Sequence, residues 1–577
     1  MCAIAGVIGR ADGAELVRGM IAAQRHRGPD DAGVSVEPGA ALGHRRLAIL
    51  DLSAAGRQPM TSRDGRWTMV LNGEIFNYRD IAAMLGRPFR TGTDTEVLLE
   101  ACAAWGIEKT LERVVGMFAF GVWDDHTREL TLVRDRMGEK PLVYFWDGHA
   151  LAFASELKAL EPFHARTLDP AAVDTYLALG YVAAPLAVFQ RCHKLPPGHL
   201  LRFREGTLSV TRWWFPENAP QAQEKSRMER MHGLRERLAD AVRLRLHADV
   251  PIALYLSGGV DSSVIAAECV AQGAHPEAFT VRFDGDEIDL PYARQVAQGL
   301  QLPLHVLDAR AGDAALEFER LLWHYDEPFA DSSALPCFAL ARAIGGRYKV
   351  VLNGDGGDEA LGGYRHYEHI AAKQALKAAA AAAGLCDGAG AGKAGVYVQS
   401  KAVFRAAHRD RLLNRHSRGN ALDTLLAADP FRAADRGSAL ARALWTDRHL
   451  SLANGLTYKM DIALGAFGME GRAPFLDHRL LEWTQSLPAE ELVRGSQKKI
   501  LLRSAYAGHL PSEVLNRPKH GFGAPVDRWL RGPLREVVAE ALPCPLLERE
   551  GQDRWTGQRL WTLLTFSQWA RQWRATW

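Results

Sequence analysis

The segment from Ile252 to Ser263 constrains the fold most. An apolar strand, Ile252–Leu256, runs into a glycine turn, Ser257–Gly259, and a helix begins at about Ser262. Two more apolar strands, Ala278–Phe283 and Tyr348–Leu352, follow with helical stretches between them. Strands alternating with helices predict a mostly parallel, doubly wound α/β sheet. A long helix, Ser226–Leu246, leads into this unit, and after about residue 365 the pattern becomes largely helical.

The first part of the chain reads differently. Short β-branched and apolar runs at Ala3–Ile8, Trp67–Leu71, Met117–Trp123 and Leu130–Val133 alternate with turns, and helical periodicity enters only between them, as in Thr95–Trp105. This predicts an α+β unit of two sheets with helices outside. A linker is expected at 206–225, where Pro216 and Pro220 flank Glu217 and Asn218. The expected division is 1–210 and 226–577, two large units in 577 residues.

Composition excludes several classes. Lys plus Arg is 70 and Asp plus Glu is 68, a net charge of +2, which gives no general electrostatic reason for a nucleic-acid or membrane partner. No apolar run reaches about 18 residues and no signal-peptide pattern opens the chain, so the expectation is a cytoplasmic protein. Seven widely spaced cysteines (2, 102, 192, 269, 337, 386 and 544), none in C-x-x-C spacing, predict free thiols.

Two clusters suggest chemistry. In Ser257-Gly258-Gly259-Val-Asp261-Ser262-Ser263, glycines let the backbone approach a phosphate, and the helix N-terminus and hydroxyls offer donors. Asp261 is placed to share magnesium with pyrophosphate oxygens, and no lysine lies in the loop for γ-phosphoryl transfer. Asp355, Asp358 and Glu359 crowd a glycine-rich loop after a strand, where like charges need a metal or basic groups. By contrast, GAGAGKAG (388–395) fails as a phosphate loop, with Asp387 for the first glycine and Ala394 for the Ser or Thr. The alanine run 378–383 reads as helical filler.

The second cluster surrounds Cys2. If Met1 is removed, the thiol lies beside a free α-amino group, a built-in base. Asn72-Gly73-Glu74 follows an apolar strand and offers an amide and a backbone N–H to a developing oxyanion. Arg45 suits a carboxylate and Asp94 an ammonium; together they would recognise an amino acid with a side-chain amide.

The strings MCAIAGVIG, RHRGPD (25–30), LGHRRLAILDLS (42–53), NGEIFNY (72–78), GTDTE (92–96), GMFAFGVWD (116–124) and RDRMGEKPL (134–142) resemble the class II glutamine amidotransferase domain. SGGVDSS resembles the pyrophosphate loop of N-type ATP pyrophosphatases. WHYDEPFADSSALP (323–336), LNGDGGDEALGGY (352–364), MEGRAPFLDHRL (469–480), KKILLR (498–503) and RPKHGFGAPVDRWLRGPL (517–534) are similar to the synthetase part of glutamine-hydrolysing asparagine synthetases.

The resemblance implies an N-terminal nucleophile hydrolase sandwich followed by an α/β ATP pyrophosphatase domain. It implies ATP and Mg2+, and glutamine and an acceptor carboxylate, foremost aspartate, as partners. Cys2 then attacks glutamine, Asn72 and Gly73 form the oxyanion hole, and Arg45, Glu74 and Asp94 bind the substrate. Leu256, the 257–263 loop, Val281, Gly354 and Lys499 take the nucleotide. Asp261 and Asp358 hold magnesium, Asp355 deprotonates ammonia, and Lys499 stabilises charge. An internal ammonia passage and a homodimer are also implied.

Departures from the family pattern concentrate at 458–472. Ile462 stands where an arginine is usual, Leu464 and Gly465 where a serine–methionine pair is usual, and Phe467 where a small polar residue is usual. Asn353 replaces serine and Ala3 replaces glycine. Glu359, Asp461, Phe467, Glu470 and Arg472 are set down as the acceptor pocket. The changes leave asparagine formation, amidation of another carboxylate and lactam closure open, with a non-enzymatic binding partner as the alternative of another class. His324 and His520 read as core or supporting residues without metal-ligand spacing.

Overall fold

The computed structural model describes residues 1–215, 226–283, 288–309, 314–382, 394–416, 421–428, 431, 438–518, 525–548 and 555–577. The first unit contains β1 (Ala3–Ile8), β2 (Asp31–Glu37), β3 (Ala40–Arg46), β4 (Met60–Thr61), β5 (Trp67–Ile75) and β6 (Gly116–Asp124). It continues with β7 (Glu129–Arg134), β8 (Val143–Trp146), β9 (Leu151–Ala154), β10 (Cys192–Lys194), β11 (His199–Arg204) and β12 (Thr207–Arg212). They form two six-stranded antiparallel sheets, ordered β10-β8-β9-β1-β3-β2 and β12-β11-β7-β6-β5-β4.

Side chains alternate across β1 as a strand buried on both faces requires. Ile4 and Ile8 enter the layer between the sheets with Leu42, Val70 and Leu132. Ala5 and Val7 face the helix Gly13–Ala23 through Val17 and Met20. The helix Asp94–Trp105 covers the second sheet, its Val97 and Leu98 meeting Leu71 and Phe118.

The expected linker is corrected at its start. β12 lies inside the 206–225 segment and pairs with β11 over six residues, so the sheet runs to Arg212. Its side chains are mostly exposed, which hid the strand from a reading based on apolar runs.

The second unit has an all-parallel sheet ordered β15-β14-β13-β16-β17, from β13 (Ile252–Tyr255), β14 (Glu277–Phe283), β15 (Leu304–Ala309), β16 (Val350–Leu352) and β17 (Glu470–Arg472). Leu254 and Leu352 pack against Leu234 and Val264 on one face; Ala253 and Val351 meet the cluster of Phe318 and Phe338 on the other. β17, 118 residues after Leu352 in the chain, could not be placed by sequence spacing.

One core cluster spans both units, from Val7 and Tyr176 to Met460, Ile462 and Trp569. The C-terminal helix Gly557–Gln572 clamps them together. Tyr176 Oη donates to Thr562 O at 2.7 Å, and Leu168 N donates to Thr576 O at 2.7 Å.

Among the described residues no helix is long and apolar enough to cross a membrane. Cys2, Cys102, Cys192, Cys269, Cys337 and Cys544 are free thiols. Cys386, His520, Ala383 and positions 388–393 of the glycine–alanine string lie outside the described residues.

Candidate active sites

Cys2 is half-buried immediately before β1. Its Sγ accepts from Leu47 N at 3.5 Å, and burial pushes the thiol above its ordinary value. A thiol in that state needs a base to become nucleophilic. Ser155 Oγ accepts from Ile4 N at 3.0 Å and from Asn72 Nδ2 at 3.5 Å, so one hydroxyl ties the strand after Cys2 to Asn72. Asn72 is fully buried on β5, and its Oδ1 has no hydrogen-bond partner among the described residues. Gly73 has φ +143°, and a Cβ there would lie 2.1 Å from Met117 O, which accounts for a glycine. Ala3 needs no such freedom: it is buried in β1 and is absent from the positive-φ residues.

Asp94 begins the helix Asp94–Trp105, capped by Thr93, and its Oδ2 accepts from Ile75 N at 2.7 Å. Burial pushes its carboxyl up to about 6. Glu74 rises well above the carboxylate range because it is buried and faces Asp94. Arg45 lies opposite Ala3 in the β1–β3 register and donates from Nε to Gly28 O at 3.0 Å. The residues read as a glutamine site therefore sit just before β1, on β3 and β5, and at one helix end.

The second site is a cavity of about 430 Å³ at the carboxyl ends of the parallel strands. Leu256, Ser257, Gly259, Asp261, Ser262, Val281, Gly354, Asp355, Asp358, Glu359 and Lys499 line it. Gly258 lies just behind, at φ +69°, where a Cβ would strike Ala293 N at 2.4 Å. Ser263 Oγ donates to Gly259 O at 2.7 Å, holding the loop against the helix Val260–Ala271.

Lys499 Nζ lies 2.5 Å from Asp261 Oδ1 and 2.5 Å from Asp358 Oδ1. Two carboxylates from different elements thus converge on one cation. Gly363 and Gly357 make the room: a Cβ would fall 1.8 Å from Asp358 Oδ1 and 2.6 Å from Asp261 Cγ, respectively. Among the described residues no three His, Cys, Asp or Glu form a metal cage. A pair of carboxylates fits magnesium, which takes one or two from protein and the rest from phosphates and water. The Asp355 N–H donates to Asn353 Oδ1 at 3.0 Å, so Asn353 shapes this loop. Burial raises the Asp355 carboxyl.

The acceptor assignments divide. Glu359 lines the cavity, bonded to Tyr364 Oη. Asp461, Phe467, Glu470 and Arg472 do not line it. Asp461 pairs with Arg27 of the first unit at 2.7 Å, and Arg472 pairs with Glu470 at 2.9 Å and Glu74 at 3.3 Å. Phe467 packs on Phe338 and His324 in a half-buried aromatic cluster, where burial lowers His324 to about 3. Ile462 and Leu464 are core residues of the helix Thr457–Gly465, so these departures act on support and on the contact between units. Gly465 keeps clear of Arg27 Nη1, 3.1 Å from where a Cβ would stand.

Sequence reasoning missed Lys459, which lines the cavity from that helix and donates to Ser333 Oγ at 2.7 Å with Asp331 at 3.5 Å. Its acidic neighbours keep it cationic, above the ordinary lysine value despite burial. Both partners lie within WHYDEPFADSSALP (323–336), where Asp331 next to Ser332 and Ser333 was the available signal.

Between the two sites lies a small cavity of about 30 Å³. Met1, Lys140, Asp461 and Gly471 line it together with Asn353 and Asp355, which also line the large cavity.

A family model described as asparagine synthase matches residues 233–575, and one described as a glutamine amidotransferase domain matches 1–214. The chain is 29% identical to asparagine synthetase [glutamine-hydrolyzing] 1 of Bacillus subtilis (strain 168), over 99% of this chain and 96% of that protein. It is 30% identical to a putative asparagine synthetase [glutamine-hydrolyzing] of Mycobacterium tuberculosis (strain ATCC 25618 / H37Rv), over 97% and 94%. It is also 28% identical to the amidase chry2 of Gibberella zeae, over 92% and 88%.

Proposed function

The chain belongs to the asparagine synthase family and is a glutamine-dependent, ATP-using amide-forming enzyme; from that premise we propose that it converts aspartate to asparagine. The observation that carries the proposal is the small cavity, whose lining includes both Met1, the neighbour of Cys2, and Asp355 of the large cavity.

Removal of Met1 gives Cys2 its own α-amine as general base. The thiol attacks the glutamine amide, and Asn72 Nδ2 and the Gly73 N–H face the oxyanion. Ammonia leaves as the thioester forms, and water then releases glutamate. Arg45 takes the substrate carboxylate and Asp94 its ammonium.

In the second site the 257–263 loop holds ATP, and the acceptor carboxylate attacks the α-phosphorus, expelling pyrophosphate. Magnesium, held by Asp261 and Asp358, neutralises charge on the phosphates when bound. Lys499 carries positive charge to the same oxygens. Ammonia arriving beside Asp355 attacks the acyl carbon, Asp355 takes a proton, and AMP leaves.

Aspartate as acceptor is supported by the opposite charges on the lining: Lys459 suits a second carboxylate and Glu359 an ammonium. A second reading, another carboxylic acid, draws on the apolar Leu456 and Met460 in the same lining and on relatives named amidases. Pyrophosphate release with ATP, Mg2+ and glutamine, with and without aspartate, tests the choice when product mass is read in parallel. Pyrophosphate matched by asparagine supports aspartate; glutamate without aspartate-dependent pyrophosphate removes it.

A further inference from the structure

The second unit reaches into the first through β17. Arg472 is fully buried and belongs by chain order to the synthase unit. Its Nη1 donates to the backbone oxygens of Arg245 at 3.0 Å and His247 at 2.7 Å, which fixes the guanidinium. Nε donates to Glu470 at 2.9 Å, and Nη2 lies 3.3 Å from Glu74 Oε2. Arg472 is therefore a fork held on one side by its own unit and aimed on the other at the residue following Gly73. Phe76 packs under the guanidinium, 5.5 Å from the ring centre, on the same β5 end.

Glu74 has few other means of orientation. It is 5% exposed, and its Oε1 is buried without a hydrogen-bond partner among the described residues. An unpaired buried carboxyl oxygen in a substrate site suits a donor such as a ligand amide or ammonium. The backbone of Arg472 adds a second link: its carbonyl accepts from Asn353 N at 3.1 Å, and Asn353 holds the Asp355 loop.

We propose that Arg472 is a positioning residue of the glutamine site, supplied by the synthase unit and acting through Glu74. The glutamine site is then incomplete in the first unit alone, and the Asn353–Arg472–Glu74 line joins it to the loop carrying Asp355 and Asp358. This rests on the reading of Glu74 as part of the glutamine site.

The test is a double-mutant cycle on the full chain, measuring glutamine hydrolysis without ATP. Glu74→Gln and Arg472→Met each raise the glutamine KM by about tenfold, the low end of what losing a hydrogen bond to a charged group costs. Arg472→Lys recovers part of the loss. The double variant, which removes both partners of the contact, has a KM no higher than Glu74→Gln alone. A raised KM in Glu74→Gln with an unchanged KM in Arg472→Met overturns the inference alone, as does strict additivity. An unchanged KM in Glu74→Gln overturns the reading of Glu74 and the inference with it. A merely structural Arg472 would lower kcat and Tm together and leave KM in place.

Discussion

Arg27 Nη2 donates to Asp461 Oδ2 at 2.7 Å, across the contact between the two units. The same guanidinium donates from Nε to Cys2 O at 3.1 Å and from Nη1 to Glu156 at 3.0 Å. Asp461 also lies 3.6 Å from Lys140 and lines the small cavity, and its helix carries Lys459 and Met460 into the large one. A shift of this helix is thus felt at the backbone of Cys2.

Loosening that contact should uncouple the half-reactions. Asp461→Asn keeps the shape and removes the charge that holds Arg27. Glutamate formed per pyrophosphate should rise at least about fivefold, the low end of inter-site coupling. Parallel assays of both products check it; a ratio near one for variant and wild type would refute it.

Gly73→Ala should damage only the first site. Its Cβ would collide with the β6 backbone, tilting the N–H aimed at the oxyanion. Glutamine hydrolysis should fall by about a hundredfold, the cost of losing one such donor. Pyrophosphate release fed with ammonium chloride should persist.

Gly363→Ala should do the reverse. Its Cβ would meet Asp358 and, at 2.2 Å, Lys499 Cε. Adenylation should drop to background while glutamine hydrolysis without ATP continues.

Much of this was legible in residues whose roles are local. Ser257-Gly-Gly-Val-Asp-Ser-Ser263 announces a strand–loop–helix by its own composition, and the structure has Ile252–Tyr255 and Val260–Ala271 around it. Asp461, Glu470 and Arg472 were harder to read for a physical reason. A buried charge far along the chain can answer a ligand or a partner in the other unit, and linear order does not distinguish them. Arg27, inside RHRGPD, was passed over because its partner is 434 residues away. Lys459 was overshadowed by the departures that follow it.

Glu139, buried beside the small cavity, gives a pH signature. Burial, with Asp135 adding to it, lifts its carboxyl from 4.5 to about 8. Between those values the folded chain keeps a proton that the unfolded chain releases, so stability falls as pH rises through the window. The slope contributed is at most about 1.4 kcal/mol per pH unit. Glu139→Gln, neutral throughout, should gain on the wild type in urea unfolding from about pH 5 to about pH 8. Parallel stability profiles would contradict this.

The central claim is that nitrogen freed at Cys2 reaches Asp355 inside the protein. The direct measurement supplies amide-15N glutamine, aspartate, ATP and Mg2+ with excess unlabelled ammonium, and reads the product amide by mass. The account predicts that the amide keeps the 15N label; an amide diluted to the isotopic composition of the bulk ammonium would contradict it.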